Sequence, residues 1–171
     1  MKSFVFLAST ISIWFLVSCN QNDNDEPDYP VFSGISRVDN VGSPISSPDM
    51  DDWTFDANWS EEEIGLFSNY SNYSQSSVPD QDVMTTAYPN PTAGIFSFKC
   101  HTDTAFTVEV KVVDQQFESL YADSFIGTSQ IITNVDIRNS VTNGNLVRLY
   151  YLVTYNNVIH YKGHGDILIE Y

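Results

Sequence analysis

The stretch AYPNPTAGIFSFKCH, residues 87–101, sets two prolines, an asparagine and a glycine directly ahead of an alternating apolar run. Pro89 and Pro91 carry no amide donor, so a strand ladder cannot run through them, and their rings hold the backbone extended. Asn90 can bond locally, and Gly94 permits a close or left-handed backbone. The segment reads as a rigid corner feeding a strand. In that strand Phe96, Phe98 and Cys100 share one face, and Ile95, Ser97, Lys99 and His101 the other. The next run, AFTVEVKVVD, puts Phe106, Val108, Val110 and Val112 on one face, with Thr107, Glu109 and Lys111 opposite. Period-two alternation of this kind marks half-buried strands.

Downstream, FESLYADSF, QIITNVDIRN, NLVRLYYLVTYN and VIHYKGHGDILIEY continue the series, separated by Asp114–Gln116, Gly127-Thr128, Asn143-Gly144-Asn145 and Asn156-Asn157. Short strands between such turns predict an all-β, antiparallel sandwich of six or seven strands over residues 85–171. Upstream, residues 51–84 mix apolar anchors with acids. Ser60 followed by Glu61, Glu62 and Glu63 predicts a short helix with a capping box, stopped by Gly65. This segment is expected to pack on the main domain.

Across 171 residues, 22 acidic side chains face 7 basic ones, a net charge of −15. That field disfavours nucleic acid and anionic membrane surfaces, and favours a partner that brings cations. With 11 Phe, 10 Tyr and 3 Trp, the chain has apolar area to bury and is not disordered throughout.

The N-terminus has Lys2 and then an apolar run, Phe4 to Val17, shorter than the roughly 20 residues a spanning helix needs. It reads as a signal-peptide core. Leu16-Val17-Ser18-Cys19 resembles the bacterial lipoprotein lipobox. The resemblance implies a signal peptide over 1–18 and a mature chain beginning at Cys19, lipidated through its thiol and carrying acyl groups such as palmitate. Residues 19–50 then read as an acidic flexible tether, with a candidate short strand at Val31 to Val38. Asp23, Asp25 and Glu26 resemble the surface-export signal of lipoproteins in Bacteroides-like bacteria. This implies an outer-membrane, lipid-anchored address at the cell surface.

Tyr88-Pro89-Asn90-Pro91-Thr92, with Gly94 and Phe96, resembles the start of the C-terminal sorting domains of type IX secretion cargo. The likeness covers Ala87 to Tyr171 and implies an immunoglobulin-like sandwich. Those domains end in a basic strand, whereas this chain ends in GDILIEY, and a lipid anchor already supplies its export route. The sandwich is therefore read as the functional body itself, or a scaffold for it.

Few residues suggest chemistry. Cys100 reads as a buried free thiol, with His101 pointing to the opposite face. His160, His164 and Asp166 form a ligand set on paper, but a turn expected at Gly163 argues against it, and no metal site or cofactor is assigned. Asp49, Asp51, Asp52 and Asp56 are an acidic loop without the usual twelve-residue calcium pattern. Trp53, Trp59, Tyr70 and Tyr73 are candidate ligand-binding residues, able to form a sugar-stacking platform if exposed. Asp103-Thr104-Ala105 resembles an O-glycosylation acceptor motif of Bacteroides-like bacteria, which implies modification at Thr104. The function expected is a non-enzymatic binding or structural module of the cell envelope, its partner an envelope protein or glycan. The alternative is a carbohydrate- or calcium-binding module, and a small hydrolase is a weaker third.

Overall fold

The computed structural model describes residues 30–171 apart from Ser77. The signal peptide, Cys19 and the acidic run 20–29 lie outside the described residues. In chain order the elements are β1 (Thr54–Phe55), α1 (Glu61–Gly65), a single 3-10 turn (Tyr70–Asn72), β2 (Ser74–Gln75), β3 (Met84–Tyr88), β4 (Ile95–His101), β5 (Phe106–Val113), β6 (Ser119–Gly127), β7 (Gln130–Asp136), β8 (Leu146–Tyr155) and β9 (Val158–Leu168).

Strands β3 to β9 build two sheets. One has the order β3-β4-β7, and the other runs β1-β9-β8-β5-β6 with β2 beside β9. Pairing is antiparallel except for β2, which runs parallel to β9. The sheets meet over a core of Ala87, Phe96, Phe98, Cys100, Val108, Val110, Val112, Val135, Leu149, Tyr151 and Ile167. The predicted inward faces of β4 and β5 are therefore the buried ones. Asn156 and Asn157 (φ 50° and 60°) close β8 onto β9 as a two-residue hairpin, with Tyr155 opposite Val158.

The prolines sit in the connection between β3 and β4, and both the Tyr88-Pro89 and Asn90-Pro91 bonds are cis. Asn90 does not bond locally. It is fully buried, its amide nitrogen donates to Ser36 O and Asp166 O (3.0 and 2.8 Å), and its Oδ1 accepts from Leu168 N (3.0 Å). Its backbone exchanges two bonds with Val38. One side chain thus ties the lead-in to the last strand.

Two other expectations change. Residues 30–50 lie against the sandwich, with Phe32, Ser36 and Val38 buried, so the described part of the tether region is docked. No strand forms at Val31 to Val38. Val38 makes only isolated bridges to Pro44 and Asn90, because Gly34 turns the chain (φ 88°) and the Ser36 amide is taken by Asp52. The turn expected at Gly163 is also absent. β9 runs straight through it, and its irregularity falls opposite Val153/Thr154 instead.

The outer face of the larger sheet carries a second apolar cluster. Phe32, Trp59, Phe67 and Tyr70 from the lead-in cover Val113, Tyr150, Leu152 and Ile159. Helix α1 brings part of this cover. Its capping box forms as predicted, the Glu63 amide donating to Ser60 Oγ and the Ser60 amide to Glu63 Oε2.

Candidate functional site

Where the lead-in crosses β8 and β9, a pocket of about 340 Å³ opens. Its lining includes Asp49, Asp51, Asp52, Asp56, Arg148, His164 and Asp166. All four aspartates of the predicted acidic loop reach it. β1 brings them there, its ladder extended by the Trp53 amide donating to His164 O and the Asp56 amide to Lys162 O.

Much of this charge is already engaged. Arg148 donates twice to Asp166 (2.6 and 2.8 Å), and both residues are nearly fully buried. Burial works against the Arg148 charge, but the hydrogen bonds and charge of Asp166 outweigh it and keep the guanidinium protonated. Its plane also lies over the Phe32 ring, 4.4 Å from the centroid. Asp52 accepts from the Ser36 and Asp166 amides (2.6 and 2.7 Å). Desolvation by burial nevertheless raises its pKa to about 6, because those two bonds offset only part of the penalty.

Three groups at or beside the pocket are less committed: Asp56 and His164 line it, and Glu63 is buried next to them. One ligand atom each from Asp56, Glu63 and His164 falls within 4.8 Å of the others. Asp56 Oδ1 accepts from the Asn58 amide, while Oδ2 lies 3.7 Å from His164 Nδ1. Glu63 Oε2 is taken by the capping box, which leaves Oε1. His164 Nδ1 is buried with no hydrogen-bond partner. Burial and Arg148 lower the His164 pKa, against the pull of the nearby carboxylates, so the imidazole is neutral. The buried Tyr150 ring lies 5.7 Å from that of His164, and its hydroxyl interacts with Arg148 and Glu63.

The aromatic candidates do not form an exposed row. Trp59 and Tyr70 are buried, and the Trp59 ring packs against Phe67 at 5.2 Å and edge-on to Tyr150 at 5.8 Å. Trp53 is half-buried and stacks on Tyr151. Tyr73, also half-buried, donates to Glu109 (3.0 Å). Trp59 and Tyr70 spend their faces on the sandwich, while Trp53 and Tyr73 keep part of theirs exposed. Thr104 is exposed in the turn between β4 and β5. Cys100 is fully buried, its thiol pushed up to about 12 by desolvation. Of the paper ligand set, His164 joins Asp56 and Glu63, not His160 and Asp166. Sequence reasoning missed this grouping because no spacing links residue 56 to residue 164; the capping box at Glu63 was its one local clue.

No family model matches the chain, and no curated protein matches it. Among solved structures it is similar to a glycosyl hydrolase family 2 member from Bacteroides cellulosilyticus, at 11% identity and a TM-score of 0.36 over 53% of this chain. It is also similar to an FMN-binding beta-glucuronidase from Facaelibacterium prausnitzii, at 18% identity and a TM-score of 0.32 over 50% of this chain. The chain spans 15% and 14% of the lengths of those two proteins. Likenesses this slight carry no argument about function, which is read from the pocket itself.

Proposed function

We propose that this chain is a non-enzymatic binding module of a bacterial envelope, and that its acidic pocket binds a divalent cation. The observation that carries the reading is the convergence of Asp49, Asp51, Asp52, Asp56 and Asp166 on one pocket that Arg148 alone counters with a fixed positive charge. A cation held there offers open coordination positions to an oxygen-rich partner such as an envelope glycan or an acidic protein segment. Absence of enzymatic activity is argued from the chemistry of the groups: Cys100 is held as a thiol, and the Arg148–Asp166 pair is mutually satisfied.

The sandwich is read as immunoglobulin-like. Its split into β3-β4-β7 and β9-β8-β5-β6, with the chain crossing between sheets, favours that class. Display at the cell surface through lipidated Cys19 rests on the lipobox and the acids after it. Among the described residues no helix is long and apolar enough to cross a membrane.

Calorimetric titration of the full chain, stripped with EDTA, against calcium, magnesium and zinc tests the pocket. One equivalent of at least one cation is expected to bind, and more weakly in an Asp51→Asn/Asp56→Asn double variant. Absence of binding by all three at millimolar concentration would refute the reading. For the anchor, incorporation of radiolabelled palmitate should vanish in Cys19→Ala.

A further inference from the structure

We infer that Asp56 and His164 on the wall of the pocket, together with the buried Glu63 beside them, hold one first-row divalent cation of the zinc class, with a coordination position open towards the pocket. The inference rests on the cation-pocket reading above and names its metal and ligands.

The donor set selects the metal. Calcium and magnesium take oxygen ligands, whereas an imidazole nitrogen beside two carboxylates suits zinc and its neighbours. Three protein ligands plus one open position is the arrangement of reactive or partner-binding zinc sites, as opposed to closed structural ones. Zinc bonds of about 2.0–2.2 Å require tetrahedral ligand atoms roughly 3.4 Å apart. His164 Nδ1 and Asp56 Oδ2 stand at 3.7 Å, so the pair needs only small adjustment, and the 4.8 Å spread of the full set calls for a shift of about 1 Å.

One further observation points to a missing partner. His164 Nδ1 is buried with nothing to bond, a condition that costs stability unless a proton or a metal relieves it. Several oxygens of the neighbouring aspartates are already engaged. Both Asp52 oxygens accept backbone amides, Asp166 is committed to Arg148 and Ser33, and Asp49 Oδ1 accepts the Asp51 amide. The Arg148 charge faces Asp166, which lessens its repulsion of an ion at His164.

The experiment is titration of the EDTA-stripped full chain with zinc, cobalt and calcium chlorides, read by thermal melting and by cobalt visible absorption. Zinc should bind one equivalent and raise Tm by about 5–10 °C at a hundredfold excess over Kd. Cobalt should give the intense d–d bands of a low-coordinate site. His164→Ala, Asp56→Asn and Glu63→Gln should each weaken zinc by about 100-fold or more. Glu63→Gln keeps the capping box and Asp56 is 27% exposed, so these two variants carry the test if His164→Ala fails to fold. Zinc affinity unchanged in both would overturn the inference. Calcium binding in place of zinc, indifferent to His164→Ala, would overturn the ligand set and leave the cation pocket standing. Binding of none of the three would overturn both.

Discussion

Asn90 carries more of this fold than its length suggests. Three side-chain bonds and two backbone bonds leave every polar group it owns engaged, at full burial. Asn90→Ala strands two carbonyls and an amide, and should cost about 3 kcal/mol or more in chemical denaturation. Asn90→Asp should be nearly as harmful, because a carboxylate cannot donate to Ser36 O and Asp166 O. Asp52 is the second residue with a measurable signature. Its folded pKa of about 6 lies above the ordinary 3.8, so the folded chain holds the proton more tightly than the unfolded one. Its contribution is therefore greatest below about pH 4 and is lost as pH rises through 6. Melting curves of wild type and Asp52→Asn across pH 3.5–7.5 should diverge in that window, wild type losing ground as pH rises; parallel curves would count against the shift. The sequence marks both residues as polar loop positions. It does not reveal that Asn90 reaches Asp166, since a hydrogen bond across 76 positions leaves no local pattern.

At the scale of elements, the alternation of β4 and β5, the Asn156-Asn157 hairpin and the Ser60–Glu63 capping box were all legible in advance. Each depends on residues a few positions apart. Ser60→Ala should cost about 1 kcal/mol, a fall in Tm of roughly 2–4 °C, and should also loosen Glu63. Strand β1 is different. At two residues it has little propensity to exploit, and it holds to β9 because Trp53 hooks over Gly165 and stacks on Tyr151 at 6.2 Å. A Cβ on Gly165 would run into the Trp53 indole. Gly165→Val should therefore expel Trp53 and release β1, seen as red-shifted tryptophan fluorescence and a loss of about 2–3 kcal/mol. The expectation of a turn in this region failed because glycine in a strand was read as a breaker. Here Gly163 lets Thr54 O and Tyr151 approach, as Gly165 makes room for the Trp53 ring.

The described residues form a sandwich with a second apolar layer laid on the outer face of its larger sheet. Phe32, Trp59, Phe67 and Tyr70 shield Tyr150, Leu152 and Ile159, so residues 30–75 are a covering as well as a lead-in. Deleting them should leave a chain that binds ANS and aggregates, because an apolar patch of this kind is poorly tolerated on a monomer. A soluble, cooperatively folding residue 78–171 fragment would contradict this. The same covering builds the candidate site, since Asp56 and Glu63 come from the lead-in and His164 from β9. By itself the sequence determined the long strands of the sandwich, most of its turns, the helix cap and the acidic excess, all written in short-range periodicity and composition. Only the tertiary structure decided that Trp59 and Tyr70 are buried, that Asn90 is a hub, and that two carboxylates and an imidazole meet. Those outcomes depend on which faces pack together across about a hundred residues, where burial and long-range hydrogen bonds override any spacing a single chain can display.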